Sequence, residues 1–367
     1  RARRVMQATE LTREGARVLS VCNACRYCEQ YCPAFQAMED RLAFATADLN
    51  YLANLCHGCG ECLYACQYAP PHEFAINVPQ TFAKLRVQSY EQYAWPAALG
   101  AAFRHQGVMT ALLLVGAMVA LLLGATLALN GLALLEPGTS SDFYAVVPHG
   151  VMVAVFGGVG LFVLLALAIG AARCARELKS MGAPPHGGGT GAALRDALTL
   201  NHLHVAGRDC VSGPELRTPW RRWLHHATFY GFALCFASTC VATLYHFSGA
   251  PAPYAYTSLP VVLGTAGGIG LAIGTAGLLL HGRRRDAALS DATSRNLDRA
   301  FIVLLLATAL TGLLLLVLRH ERAMGLLLVV HLGVVLALFV TLPYGKLVHG
   351  VYRTIALRYY RRSHHEH

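Results

Sequence analysis

The chain has 367 residues, of which 55% are hydrophobic and only 14% are charged, and its formal net charge is +10. Soluble domains average about 25% charged residues, so this composition excludes a wholly soluble protein. The basic balance alone is typical of nucleic-acid or membrane-surface binding. Because the apolar residues collect in blocks between Val108 and Val348, we assign the protein to a membrane and expect no nucleic-acid partner.

Residues 1–105 have the composition of a water-soluble head. No apolar run precedes Cys22 and the chain opens with four residues of which three are arginine, so we expect no signal peptide to export this head. Eight of the 12 cysteines lie between Cys22 and Cys66. In a reducing cytosol this density favours metal ligation over disulfide bonds.

The eight cysteines form two runs with the spacing C-x2-C-x2-C-x3-C, and Pro33 follows the first run. This spacing is typical of bacterial ferredoxins, in which three thiolates of one run and the last thiolate of the other hold each [4Fe–4S] cluster. Structural zinc sites pair two C-x2-C units instead, and neither the third cysteine nor the Cys-Pro fits them. The predicted ligand sets are Cys22, Cys25, Cys28 and Cys66 for cluster 1, and Cys56, Cys59, Cys62 and Cys32 for cluster 2.

Six apolar segments are long enough to cross a bilayer, which takes about 20 residues. They are residues 108–129, 149–171, 224–247, 258–280, 299–318 and 325–348. We therefore predict a mainly α protein that consists of a cytoplasmic dicluster ferredoxin-like domain (1–105) and a six-helix transmembrane bundle (106–350), followed by a basic cytoplasmic tail (351–367).

Lys and Arg are concentrated in the 172–223 loop, in the loop between the fourth and fifth segments, and in the tail. The opposite loops hold only Arg319 and Arg322. By the positive-inside rule, we expect a multi-pass protein of the bacterial inner (plasma) membrane with both termini in the cytoplasm. The residues expected to face outward are 130–148, 248–257 and 319–324.

The long 172–223 loop contains Pro184-Pro185 and three consecutive glycines from Gly187, which predict irregular structure. His202, His204 and Cys210 lie in the same loop, but their spacing is not that of a metal site. We expect the loop to serve in docking.

Histidines at membrane depth are candidate haem ligands. The third segment opens with His225-His226 and closes near His246, and the sixth carries His331 and His349. Because these segments run antiparallel, His225 or His226 should face His349 on the inner side, and His246 should face His331 on the outer side. Eighteen residues of helix span about 27 Å, enough for one haem near each leaflet.

Helical phase places His331 and His349 on one face of a continuous helix and favours His225 over His226 as the partner opposite His349. His149 follows Pro148 at the outer start of the second segment and is a further candidate ligand. The predicted cofactors are thus two [4Fe–4S] clusters and one or two haem b.

The segment from His331 to His349 resembles the last haem-binding helix of the respiratory nitrate reductase gamma subunit, in which two histidines at this spacing bind two b haems. The segment Leu224-His225-His226, with Gly231, resembles the partner helix. That resemblance favours His226 as the ligand, against the phase argument. The family's second histidine on this helix would fall near Phe236, so the sequence departs from the pattern at the outer haem.

Over nearly its whole length the chain resembles the tricarballylate/citrate utilisation protein B family. The segments that carry the resemblance are the two cysteine runs, Pro71 to Pro79, Tyr93-Ala94-Trp95-Pro96, Gly187 to Gly189, and Phe229-Tyr230-Gly231-Phe232. The resemblance implies a cytoplasmic FAD-dependent dehydrogenase as partner, whose reduced flavin is reoxidised through this subunit toward acceptors in the membrane.

We therefore expect an electron-transfer subunit that passes electrons through two [4Fe–4S] clusters and b-type haem to the quinone pool. A quinol-linked subunit of a heterodisulfide- or sulfite-reductase-type complex would run electrons the other way. A permease with a redox head would need charge within the spans, where only Lys346 qualifies. A passive anchor would need no metal ligands.

Overall fold

The structure is a computed structural model that describes residues 2–105, 107–131, 143–182, 189–203, 220–250 and 252–363. Within these ranges all regular structure is helical, which confirms the predicted mainly α class. The amino-terminal head contains α1 (Ala2–Cys25), α2 (Pro33–Glu39), α3 (Thr46–Leu55), α4 (Glu61–Tyr64), α5 (Val78–Tyr93) and α6 (Ala97–Phe103).

Local sequence signals set where the head helices begin. Helix α2 begins at Pro33, whose missing N–H costs nothing in a first helical turn. Helix α5 is capped by Asn77, whose side chain accepts a hydrogen bond from the backbone N–H of Gln80. The apolar faces of α1, α3 and α5 then pack around fully buried residues such as Leu52 and Leu85.

Six helices are long and apolar enough to cross a membrane, as predicted. They are α7 (Val108–Asn130), α9 (His149–Ser180), α11 (Trp220–Phe247), α12 (Leu259–Arg284), α13 (Ala292–Val317) and α14 (Met324–Thr341), with the short α8 (Phe143–Val146) before α9. Helices α11 and α12 approach each other very closely. A side chain at Gly274 of α12 would come within 2.5 Å of the Thr228 backbone nitrogen, so the glycine permits the packing.

The last span is shorter than predicted, because it ends at Thr341 and not near residue 348. Pro343 cannot donate the next helical hydrogen bond, and turns follow until α15 (Val348–Ser363) begins. His331 and His349 therefore lie on different helices. The prediction that they share one face of a continuous helix is wrong.

Helix α15 is built into the core of the head. Tyr352, Leu357 and Tyr360 are buried in the same apolar cluster as Leu52 and Leu85. The Tyr352 ring lies 5.0 Å from the Tyr93 ring, centre to centre. Most of the segment that we assigned to a basic tail is thus part of the head structure.

The long connection after the second span is more regular than expected. Helix α9 continues to Ser180, and α10 (Thr190–Thr199) is followed by a 3-10 turn at Asn201–Leu203. Asp196 of α10 forms an ion pair of 2.7 Å with Arg361 of α15. The described part of this connection thus packs on α15. The docking role expected of the loop stays a prediction, and Pro184, Pro185, Gly187, Gly188, His204 and Cys210 lie outside the described residues.

Several elements place the head on one end of the helical bundle. Arg173 near the end of α9 donates to the Ala94 carbonyl at 2.6 Å, and Asn77 of the head donates to the Ala288 carbonyl between α12 and α13 at 2.9 Å. Helix α15 packs into the head core. The head, both of these connections and α15 consequently lie on the same side of the bundle.

Candidate functional site

Each cysteine run contributes to a separate cavity, and each cavity takes its fourth cysteine from the other run. The first cavity, of about 230 Å³, is lined by Cys22, Cys25, Cys28 and Cys66. The second is narrower, about 20 Å³, and is lined by Cys32, Cys56, Cys59 and Cys62. Cys62 borders both cavities, so the two sites are adjacent.

The thiols of each set lie close enough to oppose each other's ionisation. Burial, together with neighbouring Cys66, raises the pKa of the Cys22 thiol to about 12. Burial, and then Cys56 and Cys59, raise the pKa of the Cys32 thiol well above its usual value. A thiolate must form before it can bind a metal. Four thiolates are stable in either cavity only beside a strongly positive centre, which an iron cluster supplies.

The cysteines of each set line a cavity. Among the described residues, no three Cys, His, Asp or Glu side chains come together closely enough to hold one metal ion.

Two glycines shape the loop of the second run. Gly58 has a φ of +62° and its N–H donates to the Cys56 sulfur at 3.3 Å. Gly60 has a φ of +99°, and a side chain there would come within 2.7 Å of Leu289. Left-handed backbone is accessible to glycine without strain, so the loop can turn its N–H groups toward the sulfurs while it packs on the connection between α12 and α13.

The two cysteine loops differ in exposure. The loop of the first run reaches the surface, where Tyr27 is 58% exposed. The second loop is buried from Cys56 through Gly58 and again at Gly60. The first cavity therefore faces outward, and the second lies against the helical bundle.

Four arginines from four elements hold the second loop through its carbonyl groups. Arg221 donates to the Gly58 carbonyl at 2.9 Å and Arg285 donates to the same oxygen at 2.6 Å. Arg353 donates to the Cys56 carbonyl at 3.0 Å. Arg86 donates to the Ala53 and Cys56 carbonyls, both at 3.2 Å. Burial and then the nearby Arg86 lower the pKa of Arg353.

Beside this loop, the rings of His225 and His349 lie 6.0 Å apart, centre to centre, at 82° to each other. Two imidazoles that bind one metal from opposite sides, each with a bond of about 2 Å, have ring centres about 6 Å apart. His349 Nδ1 donates to the Lys346 carbonyl at 2.5 Å, which leaves Nε2 free to bind iron. His225 Nδ1 is buried without a hydrogen-bond partner among the described residues.

Comparisons with known proteins identify the family of the chain. The family model described as citrate utilization protein B matches residues 104–366, and its Fer4-like domain model matches residues 15–100. The chain is also 50% identical to citrate utilization protein B of Escherichia coli over 351 residues, which cover 95% of this chain and 92% of that protein. No solved structure matches.

The chain belongs to the citrate utilization protein B family. The family models divide the chain between residues 100 and 104, where α6 gives way to the first span. In this member of the family the Fer4-like domain is the domain that carries both cysteine cavities.

The remaining candidate histidines of this citrate utilization protein B family member are arranged differently from the prediction. His226 stacks on Tyr230 at 5.6 Å, away from His349. His246 stacks on His149 at 4.2 Å and 27°, and His331 Nδ1 lies 2.9 Å from the Thr311 hydroxyl. The rings that contact His246 in the described residues are those of His149, Tyr144 and Phe247, and His331 is not among them. The sequence alone does not position these helix ends relative to one another.

In the sequence, Arg221, Arg285 and Arg353 are recognisable only as charges of the basic connections and tail, and nothing distinguishes Arg86. The structure shows that all four point at one cysteine loop. The signal that could have revealed two of them is spacing: Arg221 precedes His225 by four residues and Arg353 follows His349 by four, one helical turn in each case.

Proposed function

We propose that this protein passes electrons from the reduced FAD of a cytoplasmic dehydrogenase, of the tricarballylate/citrate-utilisation type, to the quinone pool. One observation carries the proposal. The second cysteine loop and the His225–His349 pair are adjacent at the junction of head and bundle, held by the same two helices. A path from a soluble donor to a membrane acceptor has to cross this junction.

The ligands that we propose are Cys22, Cys25, Cys28 and Cys66 for the first cluster, Cys56, Cys59, Cys62 and Cys32 for the second, and His225 with His349 for a haem b. When bound, these groups supply one-electron carriers at successive positions between the donor and the membrane. The four thiols of each set line a cavity, and His349 keeps a lone pair on Nε2 because its Nδ1 donates to the Lys346 carbonyl, so the donor chemistry of the residues fits the groups.

The chain's own residues give the path its direction. The exposed loop of the first run, with Tyr27 at the surface, is the side that a flavoprotein can reach. The second loop is covered by Leu289 and the arginines, which exclude water from it. We therefore propose that the dehydrogenase docks beside the first run.

We propose that the head lies in the cytoplasm and that the membrane is the bacterial inner membrane. The connections that contact the head are the ones rich in Lys and Arg, and such loops remain in the cytoplasm. Lipid surrounds the bundle, whose helices expose large apolar side chains such as Leu113 and Leu161.

A second haem b near the opposite ends of the spans remains part of the proposal. His149, His246 and His331 are its candidate ligands, in keeping with the resemblance to the nitrate reductase gamma subunit. The stacked His149 and His246 rings are too close to bind one iron from opposite sides. A second haem would require one of them to turn toward His331.

The test is reconstitution with the donor. The purified protein is assayed for iron, sulfide, zinc and haem, and is then mixed anaerobically with a reduced flavoprotein dehydrogenase and a soluble quinone. We expect quinone reduction that depends on the protein and is lost in Cys59→Ser. Retention of quinone reduction in Cys59→Ser, or zinc in place of iron, would overturn the proposal.

A further inference from the structure

The four arginines around the second cysteine loop concentrate positive charge there. Arg86, Arg221, Arg285 and Arg353 come from α5, α11, the end of α12 and α15, yet all donate to carbonyl groups of residues 53–58. In the part of the chain that the structure describes, none of the four forms an ion pair with Asp or Glu. Other basic residues do have such partners, for example Lys346 with Asp298 at 2.7 Å.

The first cysteine loop has no comparable surroundings. Its arginine, Arg26, is exposed and donates to the Asn23 carbonyl in the last turn of α1. Glu29 and Glu39 lie nearby, and burial together with Glu29 raises the pKa of the Glu39 carboxyl to about 7. A carboxyl with a pKa of about 7 is only partly ionised at neutral pH, so the formal charge around the first loop is small. The second loop has four arginines against one buried carboxylate of its own, Glu61, so its surroundings are positive.

Charge near an iron–sulfur cluster acts on its reduction potential. Gaining one electron makes the cluster more negative by one unit, and nearby cations in a poorly solvated site favour that state. Hydrogen bonds to the sulfurs act in the same direction. Gly58 N–H already donates to the Cys56 sulfur. The arginines hold the carbonyls of Cys56 and Gly58, which leaves the N–H groups of His57 and Cys59 on the opposite side of those two peptides.

We propose that Arg86, Arg221, Arg285 and Arg353 make the cluster of the second loop the easier one to reduce, so that the electron collects beside His225 and His349. This rests on the proposed function, since it requires both clusters to be present. Arg221 and His225, and likewise His349 and Arg353, are one turn apart on their helices, about 6 Å along the axis. Helices α11 and α15 thus each carry one arginine beside the second cysteine loop and one histidine of the pair proposed to bind haem.

The test is a potentiometric titration of the full-length protein in detergent, with each cluster followed by electron paramagnetic resonance. The variants Cys25→Ser and Cys59→Ser assign the two signals. Arg353→Gln or Arg285→Gln removes one positive charge. Each should lower the equilibrium constant for reduction of the second cluster at least tenfold, which lowers its reduction potential by about 59 mV for one electron. The first cluster should keep its potential, and Arg353→Lys should recover part of the loss.

The matched control is Arg173→Gln. Arg173 also donates to a backbone carbonyl at the junction, that of Ala94, but does not contact the cysteine loops. Its replacement should leave both potentials unchanged.

The outcomes separate this inference from the proposed function. If wild-type protein shows no cluster signals, the proposed function fails. If both signals are present and the glutamine variants leave the second potential unchanged, only the role of the arginines is overturned. If Arg353→Gln loses the second cluster, the potential of that cluster is measured in Arg285→Gln instead. Loss of the cluster in Arg353→Gln, Arg285→Gln and Arg353→Lys would show that the arginines are needed only for the structure of the loop. That result would also overturn the inference.

Discussion

Cys32 belongs to the first cysteine run by sequence and to the second cavity by position. Replacement by serine should therefore damage the second cluster and spare the one at Cys22, Cys25 and Cys28. Iron should fall from about eight toward about four atoms per protein, haem iron apart, because each cluster holds four. Metal analysis and electron paramagnetic resonance measure this, with exposed Cys240 as the serine control; loss of the first cluster alone would contradict the crossed arrangement.

His349 and His226 both lie near the head side of the bundle, but we expect only His349 to bind haem. His349 faces His225 and keeps Nε2 free, whereas His226 stacks on Tyr230. We expect His349→Ala to remove a b-type absorbance contribution, and His226→Ala to retain it. The haem content of the two purified variants checks this, and the reverse result would restore the ligand that the nitrate reductase resemblance favours.

Three cysteines of each set could be predicted from the sequence because their spacing places them in one short loop. The fourth, which comes from the other run, could be predicted only from the ferredoxin pattern. The arginines could not, since Arg86, Arg221, Arg285 and Arg353 reach Cys56 or Gly58 from four separate helices. Only the packing of the head on the bundle brings them together.

Helix α15 packs into the core of the head, which the sequence did not indicate. Leu357 is fully buried in the head core, while the neighbouring Arg358 is exposed. Leu357→Ala should lower the free energy of unfolding of the head by about 2–5 kcal/mol, because it leaves a cavity, whereas Arg358→Ala should have little effect. Denaturant unfolding of the purified variants measures the difference, and equal stability of the two would mean that α15 does not pack as described.

The sequence predicted the six spans because length and hydropathy suffice to mark a membrane helix. It misplaced the end of the last span, since the apolar run continues past Pro343 although the helix does not. That error also placed His331 and His349 on one helix. The contact between His225 and His349 arises instead at the start of α15.

For the whole molecule, the account requires the head and the connections that contact it to lie in the cytoplasm. Ser180 and Ser248 are both exposed serines near opposite ends of the bundle, each with its hydroxyl bonded to a nearby carbonyl. In intact cells Ser248→Cys should react with a membrane-impermeant thiol reagent and Ser180→Cys should not. Unsubstituted protein provides the background, and labelling at Ser180 alone would place the clusters outside and exclude a cytoplasmic donor.

The proposed function requires iron–sulfur clusters, haem and quinone to form one electron path through this protein. The most direct measurement is the reduced-minus-oxidised absorption spectrum of the purified protein, recorded anaerobically before and after addition of a soluble quinone. The account predicts sharp b-type haem bands over a broad loss of cluster absorbance, and reversal of both changes by the quinone. A spectrum without haem bands, or one that the quinone leaves unchanged, would contradict it.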